Sequence, residues 1–191
     1  LLGLLVQRPT LIERIQQGGT VGYVIIAIGI VGLLIATLRL VYLHLTARRV
    51  KRQLAQVDNQ EADNPLGRVL LAAGDCKNQD IETMESLLDE AILRETPALQ
   101  RGLGLIKLLA AVAPLLGLLG TVTGMIVTFQ SISLFGTGDP KLMAGGISQA
   151  LVTTVMGLVT AIPLLFLHTL MASRSRNLIQ ILDEQSAGVI A

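Results

Sequence analysis

The stretch Ile106–Phe135, IKLLAAVAPLLGLLGTVTGMIVTFQSISLF, carries a single charge, Lys107 at its start, and decides the fold. It is followed by Gly136-Thr137-Gly138-Asp139-Pro140, then by a second nearly uncharged run, Met143–Met171. A bilayer crossing needs roughly 20 apolar residues in a helix. Both runs exceed that, so each is expected to tilt or to continue beyond the bilayer as helix. The glycines, aspartate and proline between them are turn chemistry, so the two spans form a tight hairpin. Upstream, Val21–Leu43 supplies a third apolar run.

Composition agrees with this reading. Of 191 residues, 51% are hydrophobic and 15% charged, against about 25% charge in an ordinary soluble domain. Most charges fall between His44 and Lys107. The net charge of +1 therefore averages over unlike parts, and with aromatics at 3% no basic stripe interleaved with aromatics exists to bind nucleic acid. The one cysteine, Cys76, excludes an internal disulfide. His44 and His168 have no paired metal-ligand spacing. The Gly117–Gly124 stretch has no lysine and follows no strand, so it is not a phosphate loop. The reading is a non-enzyme that uses no cofactor or metal.

The expected organisation is an all-α, three-span membrane protein. It comprises an amphipathic segment over 1–20, spans over 21–43, 106–135 and 143–172, a helical region over 44–105, a turn over 136–142 and a C-terminal helix over 173–191. Arg48, Arg49, Lys51 and Arg52 follow the first span, Arg101 and Lys107 precede the second, and Arg174 and Arg176 follow the third. Basic flanks stay cytoplasmic, which places the N-terminus and the hairpin outside and the C-terminus inside. Arg8 and Arg14 run mildly against this. The basic cluster at 48–52 fixes topology, and it can also hold anionic headgroups. Pro9–Ile15 reads as a short interfacial helix with a capping box at Thr10 and Glu13, stopped by Gly18 and Gly19. The chain begins at Leu1 without methionine, and a segment upstream is expected. The run Leu1–Val6 is too short for a span.

In the region between the first two spans, Ile81, Met84, Leu87, Leu88, Ala91 and Ile92 share one helical face, with Glu82, Glu85 and Asp89 on the other. Pro65 and Pro97 are expected to divide it into two or three helices. So short a region buries little core alone, so it should pack on extensions of the second and third spans or on neighbouring subunits.

Span two carries Ala110, Pro114, Gly117, Thr121, Gly124, Thr128 and Ser131 at steps of four and three, and span three carries Ala150, Thr154, Gly157 and Ala161. Gly120 belongs with the first group as a small residue. Such stripes let helices approach closely, the usual means of association in lipid. They can equally form a pore wall or a socket for a partner helix, in which Thr121, Thr128 and Thr154 offer hydroxyls. Pro114 and Pro163 each remove a backbone hydrogen bond and favour a kink. No span contains Asp or Glu, the usual intramembrane proton relay. Gln149 is the most polar residue inside span three; it is counted with Thr121, Thr128 and Thr154 among the pore-lining residues, and it is also suited to an interhelical hydrogen bond. His168 follows on the Thr154 face as an interfacial polar tip.

Ala113–Met125, APLLGLLGTVTGM, together with Gly146–Leu158, GISQALVTTVMGL, continuing to Ala161-Ile162-Pro163, resembles the paired span signatures of the ExbB/TolQ family. The order of elements matches as well, and the likeness runs from Val21 to the C-terminus. MotA-type flagellar stators are more distantly similar and have four spans. The resemblance implies a homopentamer in the bacterial inner membrane whose second and third helices line a pore. That pore holds two copies of a single-span ExbD/TolR-like partner, which supplies the aspartate that cycles a proton. Thr121 and Thr154 match the family's pore-facing threonines. ExbB-like members energise a TonB-like protein for outer-membrane import of iron chelates and vitamins; TolQ-like members maintain the envelope. Where the family commonly has Glu in span three, this chain has Gln149, which can hydrogen-bond but cannot titrate. Without the resemblance, a homo-oligomeric ion channel and a packing-only scaffold remain open. A self-contained transporter is disfavoured because no internal repeat is evident.

Overall fold

The computed structural model describes residues 15–55, 62–74, 80–136 and 140–190. Among the described residues five helices of ten residues or more are present: α1 (Gly19–Ala55), α2 (Pro65–Gly74), α3 (Ile81–Gln100), α4 (Leu103–Phe135) and α5 (Pro140–Ile190). Among the described residues there is no strand. Among the described residues, three long helices are apolar enough to cross a membrane, and the protein is a multi-pass membrane protein. The interfacial helix expected over Pro9–Ile15 lies outside the described residues except for its end. Ile15–Gln17 are helical, and Gly19 takes φ +59° at the start of α1.

The chain divides into two compact units. The first contains the described residues up to Leu34 and Leu105–Phe166. Here α1 packs on α5 through glycines. A Cβ at Gly29 would lie 3.0 Å from Thr160 Cγ2, and one at Gly32 would lie 2.8 Å from Leu164 Cδ2. The outward surface is Leu, Ile, Val and Phe, including Leu118, Phe129, Leu151 and Phe166, as expected of helices whose solvent is lipid or a neighbouring subunit. Pro114 and Pro163 both lie inside continuous helices.

The second unit holds the described residues of Ile35–Gly104 and Leu167–Ala191. Its core is Leu43, Val50, Leu66, Val69, Leu88, Ile92, Leu99, Met171, Leu178 and Leu182. The short helices therefore bury their apolar faces against continuations of α1 and α5. The continuation of the third span is a partner, as expected; the other is α1, which runs on to Ala55, whereas α4 begins only at Leu103. The α3 face is as expected at Leu88 and Ile92, while Ile81, in the first turn, is exposed.

Asn64 starts α2 by accepting the Gly67 amide at 2.8 Å, and Pro65 takes the first helical position, where its missing N–H loses nothing. Arg68 donates two hydrogen bonds of 2.7 Å to the Glu95 carboxylate. That bond holds the Arg68 pKa above its ordinary value. Pro97 does not divide the region. It sits in the last turn of α3, which continues to Gln100, and the break comes at Gly102, whose φ of +83° only glycine adopts readily. The last carbonyls of α3 are taken up from elsewhere in the unit: Arg39 Nη2 donates to Ala98 O at 2.8 Å, and Ser175 Oγ donates to Leu99 O at 3.1 Å.

Candidate functional site

In the first unit, α4 and α5 meet along a seam of small residues. From α4 come Ala110, Ala113, Gly117, Gly120, Gly124 and Thr128, and from α5 come Gly146, Ala150, Thr153, Gly157 and Ala161; all are buried. The helices touch backbone to backbone. A Cβ at Gly124 would sit 2.7 Å from the Gly146 carbonyl oxygen, and one at Gly157 would sit 2.7 Å from that of Ala113. A Cβ at Gly120 would overlap the Thr153 side chain. No larger residue could be accommodated without separating the helices, which is the packing logic of helix pairs in lipid.

The polar residues singled out in the sequence fall in three places. Thr128 is 3% exposed, pressed on Gly146, with its hydroxyl donated to Gly124 O at 3.0 Å; it belongs to the seam. Thr121 and Thr154 border the seam and are half-buried. Thr154 Cα lies 3.2 Å from the Cβ position of Gly117, and Thr121 is one turn further along α4. Gln149 is half-buried elsewhere, its Nε2 2.8 Å from the Cβ position of Gly19 at the start of α1. The structure thus brings Thr121 and Thr154 to one seam and turns the Gln149 amide toward α1.

Each threonine hydroxyl spends its hydrogen on its own helix. Thr121 donates to Leu118 O at 2.6 Å, and Thr154 donates to Ala150 O at 3.2 Å. What each can still offer is an oxygen with lone pairs. Such an oxygen accepts a hydrogen bond from water or from a protonated carboxyl group.

Thr153 and Gly146 were missed in the sequence. Thr153 is fully buried and bonds the Ala150 carbonyl at 2.9 Å. The signal was available: Gly146, Ala150, Thr153, Gly157 continues the stripe in steps of four, three and four. Pro114 is half-buried beside the same seam, while Pro163 is exposed. Arg48, Arg49, Lys51 and Arg52 are all exposed on α1, and Arg49 also reaches Asp63 O at 3.3 Å. Among the described residues, no three His, Cys, Asp or Glu side chains converge to hold a metal.

Comparison with known proteins gives this geometry a context. Residues 61–184 match a family model described as the MotA/TolQ/ExbB proton channel family. A biopolymer transport protein ExbB homolog of Methanothermobacter thermautotrophicus is 31% identical over 180 residues, covering 86% of this chain and 64% of the relative. An ExbB-like protein of Synechocystis is 36% identical over 132 residues, covering 68% and 63%. The biopolymer transport protein ExbB of Salmonella typhimurium is 31% identical over 137 residues, covering 71% and 54%. The chain thus spans less than two thirds of the length of each of these relatives.

Proposed function

This chain belongs to the MotA/TolQ/ExbB proton channel family, and we propose that it is a ring-forming subunit of an inner-membrane motor driven by the proton-motive force. The ring is a homopentamer. It encloses two copies of an ExbD/TolR-like single-span partner and energises a TonB-like protein for import across the outer membrane. The N-terminus and the α4–α5 hairpin face outward, and the basic ends of the spans face the cytoplasm.

One observation carries this reading. The family is named for proton passage, yet the apolar runs Val21–Leu43, Ile106–Phe135 and Met143–Met171 contain no Asp or Glu. A proton that crosses lipid needs a titrating group, so a partner supplies it. The half-buried oxygens of Thr121 and Thr154 suit the protonated form of that group: they accept the acid's hydrogen bond and carry no charge. Alternating protonation of a partner carboxylate beside these oxygens then shifts the partner helices within the ring.

Native mass spectrometry of the protein co-expressed with an ExbD-like single-span partner is the test. Five copies with two partner chains support the motor. A monomer or dimer that ignores the partner overturns it, and ion flux without the partner would identify a homo-oligomeric channel instead. Within an assembled ring, Thr154→Val is expected to leave assembly intact and to reduce energised transport, while Thr154→Ser retains it. Undiminished transport by Thr154→Val would remove the hydroxyl from the pathway.

A further inference from the structure

In the second unit, α1 and α5 enclose a groove with a cavity of about 360 Å3. Its polar wall is built from His44, Arg48 and Lys51 of α1 and Arg174 of α5; Leu178 and Ile181 form part of its apolar side. His44, Arg48 and Lys51 follow one another at steps of four and three, so they share a face of α1. Arg174 closes the groove, with Nη1 3.3 Å from His44 Nδ1, a bond it donates in the tautomer that leaves Nδ1 unprotonated. Among the described residues, no carboxylate lines the groove. Neither ion pair found among the described residues, Arg68–Glu95 and Arg94–Glu90, involves its cations.

Three cations gathered with no counter-charge among the described residues repel one another and call for an anion. Their place in the chain says which one. His44 directly follows Leu43, the end of the first apolar run, and Arg174 lies just beyond Met171, the end of the third. A groove built at the ends of two spans stands at headgroup depth, where basic pockets between helices take anionic lipids. We infer that this groove binds the phosphate of an anionic phospholipid. Arg48, Lys51 and Arg174 hold the phosphate oxygens, and the acyl chains run back toward the bilayer. The guanidinium forks suit a phosphodiester, which accepts two parallel N–H bonds. This separates the basic cluster of α1 by role: Arg48 and Lys51 line the groove, whereas Arg52 is exposed outside it.

The intact protein, purified in mild detergent in whatever assembly it forms, is titrated with phosphatidylglycerol and with phosphatidylcholine, and native mass spectrometry counts the bound lipids. Phosphatidylglycerol is expected to be retained over phosphatidylcholine. Arg174→Gln should weaken it about fivefold, the effect of one cation at a membrane surface, and Arg48→Gln by a similar factor. Arg174→Lys should restore most of the binding and Arg52→Gln should change nothing. If Arg174→Gln fails to assemble, Arg48→Gln gives the same reading from the opposite wall. Equal retention of the two lipids overturns the inference. So does an Arg52→Gln effect equal to that of Arg174→Gln, which would describe a diffuse positive surface. Displacement of the lipid by millimolar glycerol 3-phosphate would keep the phosphate site but overturn the lipid as its source.

Discussion

The α4–α5 seam and the helical unit around α2 and α3 perform the same task, holding helix against helix, with opposite materials. The seam uses glycine, alanine and threonine, and its backbones touch. The other unit uses leucine and valine, capped by Asn64 and tied by an Arg68–Glu95 pair. The difference follows from the solvent. In lipid there is no hydrophobic gain from pairing two apolar helices, so close contact between backbones must supply the attraction. In water the burial of leucine drives association directly, and polar caps and ion pairs add smaller terms.

The contrast can be broken most decisively at the seam. Gly124→Leu would insert a side chain where even a Cβ meets the Gly146 carbonyl at 2.7 Å. A loss of at least about 3 kcal/mol is expected, read as the disappearance of a cooperative helical melt in detergent. Gly145→Ala, at a glycine with nothing within 4 Å, should melt like the parent. Equal damage from both would mean that helix propensity, rather than contact, governs these glycines. In the unit around α2 and α3, Leu88→Ala removes a side chain that is 1% exposed and should cost about 3 kcal/mol through lost burial and a residual cavity. A near-neutral melt would show that α3 is held by something other than its apolar face. The smallest effect belongs to Arg68→Gln. The Arg68 side chain is 42% exposed, so solvent screening limits the loss to about 1 kcal/mol or less. That loss should shrink further in high salt, and an effect that salt leaves unchanged would point to packing by the arginine stem.

Much of the seam was legible because a small-residue stripe follows helical steps. Gly117, Gly124, Ala150, Gly157 and Ala161 recur at such steps and are all buried. Spacing became ambiguous where threonines are adjacent. A step of four from Ala150 reaches Thr154, a step of three reaches Thr153, and only packing against Gly120 shows that Thr153 is the buried one. The glycine face of α1 was hidden for another reason: Gly22, Gly29 and Gly32 sit in a run so uniformly apolar that no face stands out. Pro97 was read as a boundary because proline disfavours helix interiors, but one missing bond in a final turn is tolerated, and Gly102 is the residue that reverses the backbone. A pore is a property of several chains. The structure of one chain accordingly places Thr121 and Thr154 at the edge of the seam.

The end of α3 has a dynamic consequence. Its final carbonyls, at Ala98 and Leu99, are held by Arg39 and by Ser175, residues separated from them by 59 and 76 positions. Three distant segments thus share one anchorage. Partial unfolding at this corner is therefore expected to be cooperative. The amides at the end of α3, around Arg39 and around Ser175 should exchange their hydrogens as a single cooperative unit, at one common free energy of opening.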